Sequence, residues 1–123
     1  MRILVVEDEA IIARDIQNIL SDCGYQVTDL ASSGEESIRK AEDQKPDLVL
    51  MDVRLKGTMD GIEAGHAIHD RFHIPIVLVT AFGDELAEEM LAGRKNGFLR
   101  IVKPFEAEEF RGIILKLLPC EIN

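Results

Sequence analysis

The chain has 123 residues, of which 46% are hydrophobic, and its formal net charge is −9 at pH 7. This length and hydrophobic content predict one folded domain rather than a disordered chain, and no apolar run is long enough to span a bilayer. An acidic surface repels phosphate groups, which argues against direct binding to nucleic acid or to an anionic membrane. The two cysteines, Cys23 and Cys120, do not indicate a disulfide framework, so we expect a reducing, cytoplasmic setting.

Short apolar runs alternate with helix-like segments along the chain. Several runs lack a regular in-and-out alternation, which is typical of strands buried on both faces of a parallel sheet. The five predicted strands are Ile3–Val6, Gln26–Leu30, Asp47–Met51, Ile76–Val79 and Phe98–Val102. The predicted helices cover about residues 9–22, a segment beginning at Ser33, a segment from Asp60-Gly61 to about Arg71, about residues 84–93 and about residues 106–118. Ser33, with Glu36 three residues later, forms a capping-box pattern at the start of the second helix.

This alternation predicts an α/β fold in which helices cover both faces of a doubly wound parallel sheet. For a small domain with five strands we expect the flavodoxin-like strand order 2-1-3-4-5, together with five helices. The first and third strands then lie side by side at the topological switch point, where ligands bind beyond the carboxyl ends of the strands. The residues that directly follow each strand are therefore the candidate functional residues.

Charged and hydroxyl side chains follow four of the five predicted strands. Glu7 and Asp8 follow the first strand, Asp52 the third, Thr80 the fourth and Lys103 the fifth. Taken alone, each has an ordinary structural explanation: Asp8 would cap the first helix, and Asp52 would be a turn residue. These explanations do not account for the set as a whole, because capping and turn formation do not require the groups to meet at the ends of adjacent strands.

Three clustered carboxylates repel one another and favour a bound cation. Magnesium prefers oxygen ligands and commonly binds one or two carboxylates together with water and phosphate oxygens. A carboxylate nucleophile beside such a metal can form an acyl phosphate. We therefore expect Asp52 to accept a phosphoryl group beside a Mg2+ ion held by Asp8. The Lys103 ammonium and the Thr80 hydroxyl would contact the phosphoryl oxygens.

Five ordered motifs, distributed over essentially the whole chain, carry a family resemblance. They are Val5-Val6-Glu7-Asp8-Glu9, Met51-Asp52, Met59-Asp60-Gly61, Thr80-Ala81 and Lys103-Pro104-Phe105. The chain resembles the receiver domain of two-component response regulators over residues 1–123, and we expect no output domain within this length. The resemblance implies that Asp52 is the phosphoacceptor, loaded by a sensor histidine kinase or a phosphotransfer protein. Phosphorylation would then change the conformation and control a partner protein or an output domain.

The resemblance also implies a role for each residue of the site. Mg2+ would be bound directly by Asp8, Asp52 and the main-chain carbonyl of Arg54, and mainly through water by Glu7. Thr80 would move toward the phosphoryl group, and Lys103 would contact it. As in the family, the chain would catalyse its own phosphorylation and dephosphorylation without being an enzyme for other substrates.

Two positions depart from the family pattern. Arg100 stands where an aromatic residue usually swings inward on activation, and we expect it near the surface because burying an unpaired guanidinium is costly. As a switch residue, Arg100 would change its ion-pair partners on the predicted fourth helix, which carries Glu85, Glu88 and Glu89. The loop segment Lys56-Gly57-Thr58 replaces the usual proline and is one residue longer, which bears on the geometry of the metal site.

Two other classes of protein do not fit the sequence. A magnesium phosphatase with an aspartyl nucleophile needs a second Asp where the chain has Arg54, and a flavin carrier needs a phosphate-binding loop unlike Glu9-Ala10-Ile11. The remaining alternative is a phosphorylation-independent, receiver-like interaction module, which would lack affinity for magnesium. His66, His69 and His73 lie within a narrow arc of the third helix. They indicate a solvated helix face more than a transition-metal site.

The first predicted helix carries more apolar residues than one buried face requires. These residues are Ile11, Ile12, Ala13, Ile16, Ile19 and Leu20. We expect the two at the edge of the apolar arc, Ile11 and Ala13, to remain exposed near the acidic pocket. Small exposed apolar patches are typical of docking surfaces, so this helix is the predicted docking site for the kinase.

Overall fold

Five parallel strands form one sheet in the computed structural model, which describes residues 2–55, 57–81, 99–103 and 107–117. The strands are β1 (Arg2–Val6), β2 (Gln26–Ala31), β3 (Leu48–Asp52), β4 (Ile76–Ala81) and β5 (Leu99–Lys103). Their order is β2-β1-β3-β4-β5, so the predicted flavodoxin-like order is confirmed. β1 lies beside β3 although β2 separates them in the chain, and this reversal creates the topological switch point.

The central strands are buried on both faces, as their unbroken apolar sequences predict. All five residues of β3 are buried, as are the last four of β1 and the first five of β4. β2, at one edge of the sheet, is only partly buried along most of its length. The buried strands β1, β3 and β4 therefore give the switch point a rigid base.

Four helices lie within the described residues: α1 (Ala10–Asp22), α2 (Gly34–Gln44), α3 (Gly61–Phe72) and α4 (Ala107–Leu117). Each of these corresponds to a predicted helix, and the boundaries agree within one or two residues where both ends were predicted. The helix predicted at residues 84–93 lies outside the described residues. Among the helices that the structure describes, none combines the length and the apolar character needed to cross a bilayer.

The sheet separates two apolar cores, one on each face. Side chains alternate along each strand, so Ile3 and Val5 belong to one core while Leu4 and Val6 belong to the other. The first core is completed by α1 and α4 through Ile16, Leu20 and Phe110. The second is completed by α2 and α3 through Ala41, Ile62, Ala64 and Ile68. Burial of this apolar area, at about 25 cal/mol per Å2, is the main favourable contribution to folding.

The starts of α2 and α3 follow their sequence signals. Ser33 caps α2 by accepting a hydrogen bond from the Glu36 amide at 3.1 Å, as the capping-box pattern predicts. The Glu36 carboxylate in turn accepts from the Ser32 amide at 2.8 Å. Asp60 caps α3 by accepting from the Glu63 amide at 2.8 Å. These caps satisfy backbone donors that the first turn of a helix leaves without helical partners.

The exposure predicted for the first helix is right at one position and wrong at the other. Ile11 is 87% exposed, whereas Ala13 is only 2% exposed. Ala13 is three positions before Ile16 and seven before Leu20, and this spacing places all three side chains on one face of the helix. That face is buried, so Ala13 is a core residue and Ile11 is the exposed apolar residue at this edge.

Candidate functional site

Three carboxylates meet where β1 and β3 end. One carboxylate oxygen from each of Glu7, Asp8 and Asp52, which we call the carboxylate cluster, lies within 4.8 Å of the other two. Glu7 is 4% exposed and Asp52 is 6% exposed, while Asp8 is half-buried. Negative charges held this close repel one another, and burial removes water that would screen them. The arrangement therefore favours a cation between the three side chains.

The pairing of the strands brings these acids together. β1 and β3 are adjacent and parallel, with Val6 opposite Met51, so the next residue on each strand is an acid at the same edge of the sheet. The Glu7 amide donates to the Ala31 carbonyl at 2.9 Å, which fixes the backbone of Glu7 against β2. A shift of either strand by one residue would turn its acid to the opposite face of the sheet and would separate the carboxylates.

Asp8 does not cap the first helix. The N-cap of α1 is Glu9, and no side-chain hydrogen bond caps this helix. The Glu9 amide instead donates to the Glu7 carboxylate at 3.4 Å. The ordinary structural explanation for Asp8 is therefore wrong, and its carboxylate belongs to the cluster.

Asp52 makes the local hydrogen bond of a turn residue and also belongs to the carboxylate cluster. Its Oδ1 accepts from the Arg54 amide at 3.2 Å, two residues further along the chain, as in an Asx turn. The next peptide unit is held by β4, because the Val53 amide donates to the Val79 carbonyl at 3.1 Å. The two roles are compatible, since a carboxylate has two oxygens and about four acceptor positions.

Thr80 and Lys103 lie on the strands that follow β3 across the sheet. The register pairs Asp52 with Val79, so Thr80 is one residue further along β4, and it is buried. β4 continues to Ala81, so Thr80 lies inside the strand rather than after it as predicted. Lys103 ends β5 opposite Ala81, and its side chain lies outside the described part of the chain. The contacts of Thr80 and Lys103 with a phosphoryl group stay predictions.

The loop between β3 and α3 borders the site. Arg54, whose main-chain carbonyl is a predicted magnesium ligand, has an exposed side chain. Gly57 has a φ of 102°, a left-handed conformation that favours glycine. The Thr58 hydroxyl donates to the Glu35 carboxylate at 3.2 Å, which ties the loop to the start of α2. Lys56, in the same loop, lies outside the described residues.

Arg100 lies on β5, opposite Leu78 of β4, and its side chain is exposed. Val102, two residues along and on the same face of the strand, is exposed as well. The expected surface position of Arg100 is therefore observed. Its expected partners, Glu85, Glu88 and Glu89, lie outside the described residues, so the switch role of Arg100 stays a prediction.

The three histidines of α3 do not converge on a metal site. Within the described residues, the carboxylate cluster is the only group of three or more His, Cys, Asp or Glu side chains with metal-ligand spacing. The His69 Nδ1 atom lies 3.6 Å from the Asp70 carboxylate, and His73 ends the helix in a left-handed conformation with a φ of 57°. His73 is exposed and His69 is half-buried, which agrees with the predicted solvated face. His66 does not agree with it, because its side chain is half-buried and its Nε2 atom is shielded from solvent.

One residue that borders the site was missed as a functional candidate. The sequence identifies Asp60-Gly61 as a helix start, but the Gly61 amide also donates to the Val53 carbonyl at 2.9 Å. The main chain of Gly61 lies directly against the backbone of Asp52. Two signals were available: Gly61 belongs to the Met59-Asp60-Gly61 motif of the family resemblance, and glycine is unfavourable within a helix although an Asp cap does not require it.

Known proteins of one family are similar to this chain over most of its length. The sequence model of the response regulator receiver domain matches residues 3–115. The transcriptional regulatory protein PdtaR of Mycobacterium tuberculosis is 38% identical over 109 residues, which cover 88% of this chain and 52% of that protein. The transcriptional regulatory protein ResD of Bacillus subtilis is 39% identical over 113 residues, which cover 88% of this chain and 44% of that protein. The chain thus spans about half the length of these two relatives.

A solved structure shares the fold. The signal receiver domain of a modulated diguanylate cyclase from Desulfovibrio desulfuricans G20 superimposes with a TM-score of 0.84 and is 31% identical. The superposition covers 94% of this chain and 90% of that one. The likeness therefore extends over nearly the whole of both chains.

Proposed function

The chain is a member of the response regulator receiver domain family, and from that premise we propose that it is a phosphorylatable switch with Asp52 as its phosphoacceptor. The observation that carries the proposal is the carboxylate cluster, in which a buried Asp52 has two further acids within 4.8 Å. Phosphoryl transfer depends mainly on positioning and electrostatics. A fixed carboxylate beside a cation site supplies both.

The carboxylate cluster, together with the main-chain carbonyl of Arg54, would hold Mg2+. The donor set consists of oxygen atoms, which suits a hard cation, and a half-buried Asp8 leaves one side of the cluster accessible. When bound, Mg2+ would neutralise charge between the acids and an incoming phosphoryl group. Asp8 and Asp52 would be the direct carboxylate ligands, and Glu7 would act mainly through water, as the resemblance to receiver domains implies.

In the proposed reaction, a carboxylate oxygen of Asp52 attacks the phosphorus of a phosphohistidine in a sensor histidine kinase or phosphotransfer protein. A P–O bond forms while the P–N bond breaks, and the leaving imidazole keeps the electron pair and takes up a proton. Hydrolysis later reverses the modification: water attacks the phosphorus, the bond to Asp52 breaks, and inorganic phosphate leaves. The carboxylate is then restored, and the switch returns to its first state.

Thr80 and Lys103 would bind the phosphoryl oxygens, the first as a hydroxyl donor and the second as a point charge. Thr80 follows the β4 residue that pairs with Asp52, and Lys103 ends the next strand. Movement of Thr80 toward the phosphoryl group would alter the surface formed by β4 and β5. That surface includes the exposed Arg100, and a partner protein or output domain would respond to the change.

Phosphorylation by acetyl phosphate tests the proposal, because a small phosphodonor needs no docking surface. We expect the wild type to incorporate phosphate only in the presence of Mg2+, and Asp52→Asn to incorporate none. Asp70→Asn, at an exposed position, is the matched control and should behave like the wild type. Wild-type incorporation by Asp52→Asn would refute the assignment. A folded chain that neither binds Mg2+ nor takes up phosphate would be a phosphorylation-independent interaction module instead.

We also propose that α1 docks the phosphodonor protein through Ile11. This exposed isoleucine belongs to a shallow surface groove lined by Ala10, Ile11, Ile12, Arg14, Asp15 and Asn18. Ile11→Asp should slow transfer from a cognate kinase by about tenfold, as expected for an apolar contact residue, without slowing transfer from acetyl phosphate. Val102→Asp, at a second exposed apolar position, is the control. Equal slowing with both donors would contradict the docking role.

A further inference from the structure

Helix α3 begins against the main chain of the residue that carries the proposed phosphoacceptor. A Cβ atom on Gly61 would overlap the Asp52 carbonyl oxygen, and it would lie 2.7 Å from the Asp52 carbonyl carbon and 2.9 Å from the Val53 Cα. All three atoms belong to the backbone, so no side-chain rotation relieves the overlap. Position 61 therefore has no room for any side chain unless the helix or the strand end moves.

The requirement for glycine at this position is one of space and not of backbone conformation. Gly24 and Gly57 have positive φ angles of 89° and 102°, but Gly61 is not among the positive-φ glycines. An L-residue could adopt the backbone conformation of Gly61 without strain. The close approach to Asp52 is the remaining physical reason for glycine here.

The two peptide units that flank the Val53 Cα atom, Asp52–Val53 and Val53–Arg54, are each held by one hydrogen bond. The Gly61 amide donates to the Val53 carbonyl at 2.9 Å, and the Val53 amide donates to the Val79 carbonyl at 3.1 Å. The Asp60 cap fixes the first turn of α3 through the Glu63 amide. A displacement of α3 would therefore be transmitted through the Val53 carbonyl, and through the direct contact of Gly61 with the Asp52 carbonyl, to the backbone that carries the Asp52 side chain.

We propose that Gly61 is a positioning residue for Asp52: it lets α3 start against the Asp52–Val53 peptide and thereby sets where the Asp52 carboxylate lies relative to Glu7 and Asp8. The inference rests on the proposed function, in which Asp52 must present one oxygen to a phosphoryl group within a metal site. Mg2+ demands near-ideal octahedral geometry, and a displacement of 1 Å at a reacting group costs about 100-fold in rate. A small shift of the strand end would therefore be measurable.

Two other glycines provide matched controls. A Cβ atom on Gly34 would lie 3.0 Å from the Met59 Cγ and 3.2 Å from the Ala64 Cβ. Gly34→Ala thus disturbs side-chain packing between α2 and α3 without a contact to the backbone of Asp52. A Cβ atom on Gly112, in α4, would meet no heavy atom within 4 Å. Gly112→Ala therefore measures the effect of the substitution alone.

The experiment compares wild type, Gly61→Ala, Gly34→Ala and Gly112→Ala by three measurements: amide NMR spectra without metal, Mg2+ affinity and the rate of phosphorylation by acetyl phosphate. We expect Gly61→Ala to shift the amide signals of Asp52 and Val53 before any Mg2+ is added. Its Mg2+ affinity and its phosphorylation rate should fall on the order of 10- to 100-fold. Gly34→Ala and Gly112→Ala should both keep the wild-type Asp52 and Val53 signals, Mg2+ affinity and phosphorylation rate, although Gly34→Ala disturbs side-chain packing.

A folded Gly61→Ala protein with wild-type Mg2+ affinity and phosphorylation rate would overturn the proposal, and so would equal losses in Gly34→Ala. If Gly61→Ala unfolds in buffer, the measurements are repeated with trimethylamine N-oxide, which favours the folded state. A chain that remains unfolded there has lost a structural glycine, which also overturns the positioning role. If the wild type itself takes up no phosphate, the proposed function fails, whereas the metal-free Asp52 signal still reports whether Gly61 positions that residue.

Discussion

The carboxylate cluster and the acids between β2 and α2 show two ways in which this domain accommodates negative charge. Between β2 and α2, the Lys40 Nζ atom lies 3.1 Å from the Asp29 carboxylate and 3.8 Å from the Glu36 carboxylate. In the carboxylate cluster, by contrast, each acid has two further carboxylates within 4.8 Å. Between β2 and α2, the pairing of the acids with Lys40 holds the helix on the edge strand. In the carboxylate cluster, the crowding of like charges is typical of a functional site.

Asp29 shows the structural use of an acid in detail. It accepts hydrogen bonds from the Leu30 amide at 2.8 Å and from the Gln44 side chain at 3.2 Å. The Leu30 hydrogen bond is the largest cause that holds the pKa of Asp29 below its usual value, and Lys40 acts in the same direction against the opposing effect of burial. Because Lys40 also donates to the Leu30 carbonyl at 2.8 Å, one ammonium group joins α2 to β2.

Among substitutions in these two acidic regions, Asp8→Asn should cause the largest changes in Mg2+ affinity and in stability. Asp8→Asn removes one ligand charge, so the affinity for Mg2+ should fall by a factor of roughly 10 to 100. The same change relieves repulsion, so the metal-free protein should become more stable by about 1 kcal/mol. Calorimetric Mg2+ titration and urea unfolding measure the two effects. Lower stability together with unchanged Mg2+ affinity would show that the carboxylate cluster does not differ from the acids between β2 and α2.

The stability of Asp29→Asn should change by less than that of Asp8→Asn and in the opposite direction. Asp29→Asn should lower the free energy of unfolding by about 0–1 kcal/mol, because the side chain is 40% exposed and solvent screens its ion pair. Its affinity for Mg2+ should remain that of the wild type. Urea unfolding near neutral pH gives the first value, and a Mg2+ titration gives the second. A gain in stability would show that the acids of this region are crowded rather than paired.

Asp29 should also make the stability of the domain depend on pH. The pKa of Asp29 is lowered in the folded state, so its stabilising contribution is present above the unfolded value of about 3.9 and is lost as the pH falls through the folded value. The unfolding free energies of wild type and Asp29→Asn should therefore differ at about pH 6 and converge below about pH 4. A difference that widens on acidification would contradict the assigned sign.

The smallest effect is expected at Arg100, an exposed charge on β5. Its proposed change of partners on activation involves surface ion pairs, which are weak and are screened by salt. Arg100→Ala should therefore shift activation modestly at low ionic strength and leave it unchanged at high ionic strength. NMR spectra of the protein with and without beryllofluoride, a phosphoryl mimic, measure this shift. Identical activation of the variant at both ionic strengths, or an Arg100 turned inward in the activated state, would rule the mechanism out.

Much of the fold could be predicted because it depends on local patterns and on the rules of parallel sheets. The apolar runs before Glu7 and Asp52 identify two buried strands, and their neighbouring positions in a doubly wound sheet bring the acids together. The end of β4 was harder to predict. Thr80 and Ala81 continue the ladder because they pair with Val102 and Lys103 of β5, and a local pattern does not reveal that long-range contact.

Two features depend on packing in three dimensions and could not be predicted from local patterns. The apolar arc of α1 runs through Ile11, Ile12 and Ala13 without a polar boundary, so it does not show which of its edges faces the core. The contact between Gly61 and Asp52 arises from how closely α3 approaches the end of β3. No intrinsic helix propensity encodes that approach, and the glycine alone is a weak signal.

Reductive trapping of the phosphorylated chain tests most directly whether Asp52 carries the phosphoryl group. Borohydride reduces an acyl phosphate on aspartate to homoserine, whose position is then read by mass spectrometry of the digested protein. After incubation with acetyl phosphate and Mg2+, we expect homoserine at position 52, and none without Mg2+ or in Asp52→Asn. A modification at Glu7, at Asp8 or outside the carboxylate cluster, with position 52 unmodified, would contradict the assignment.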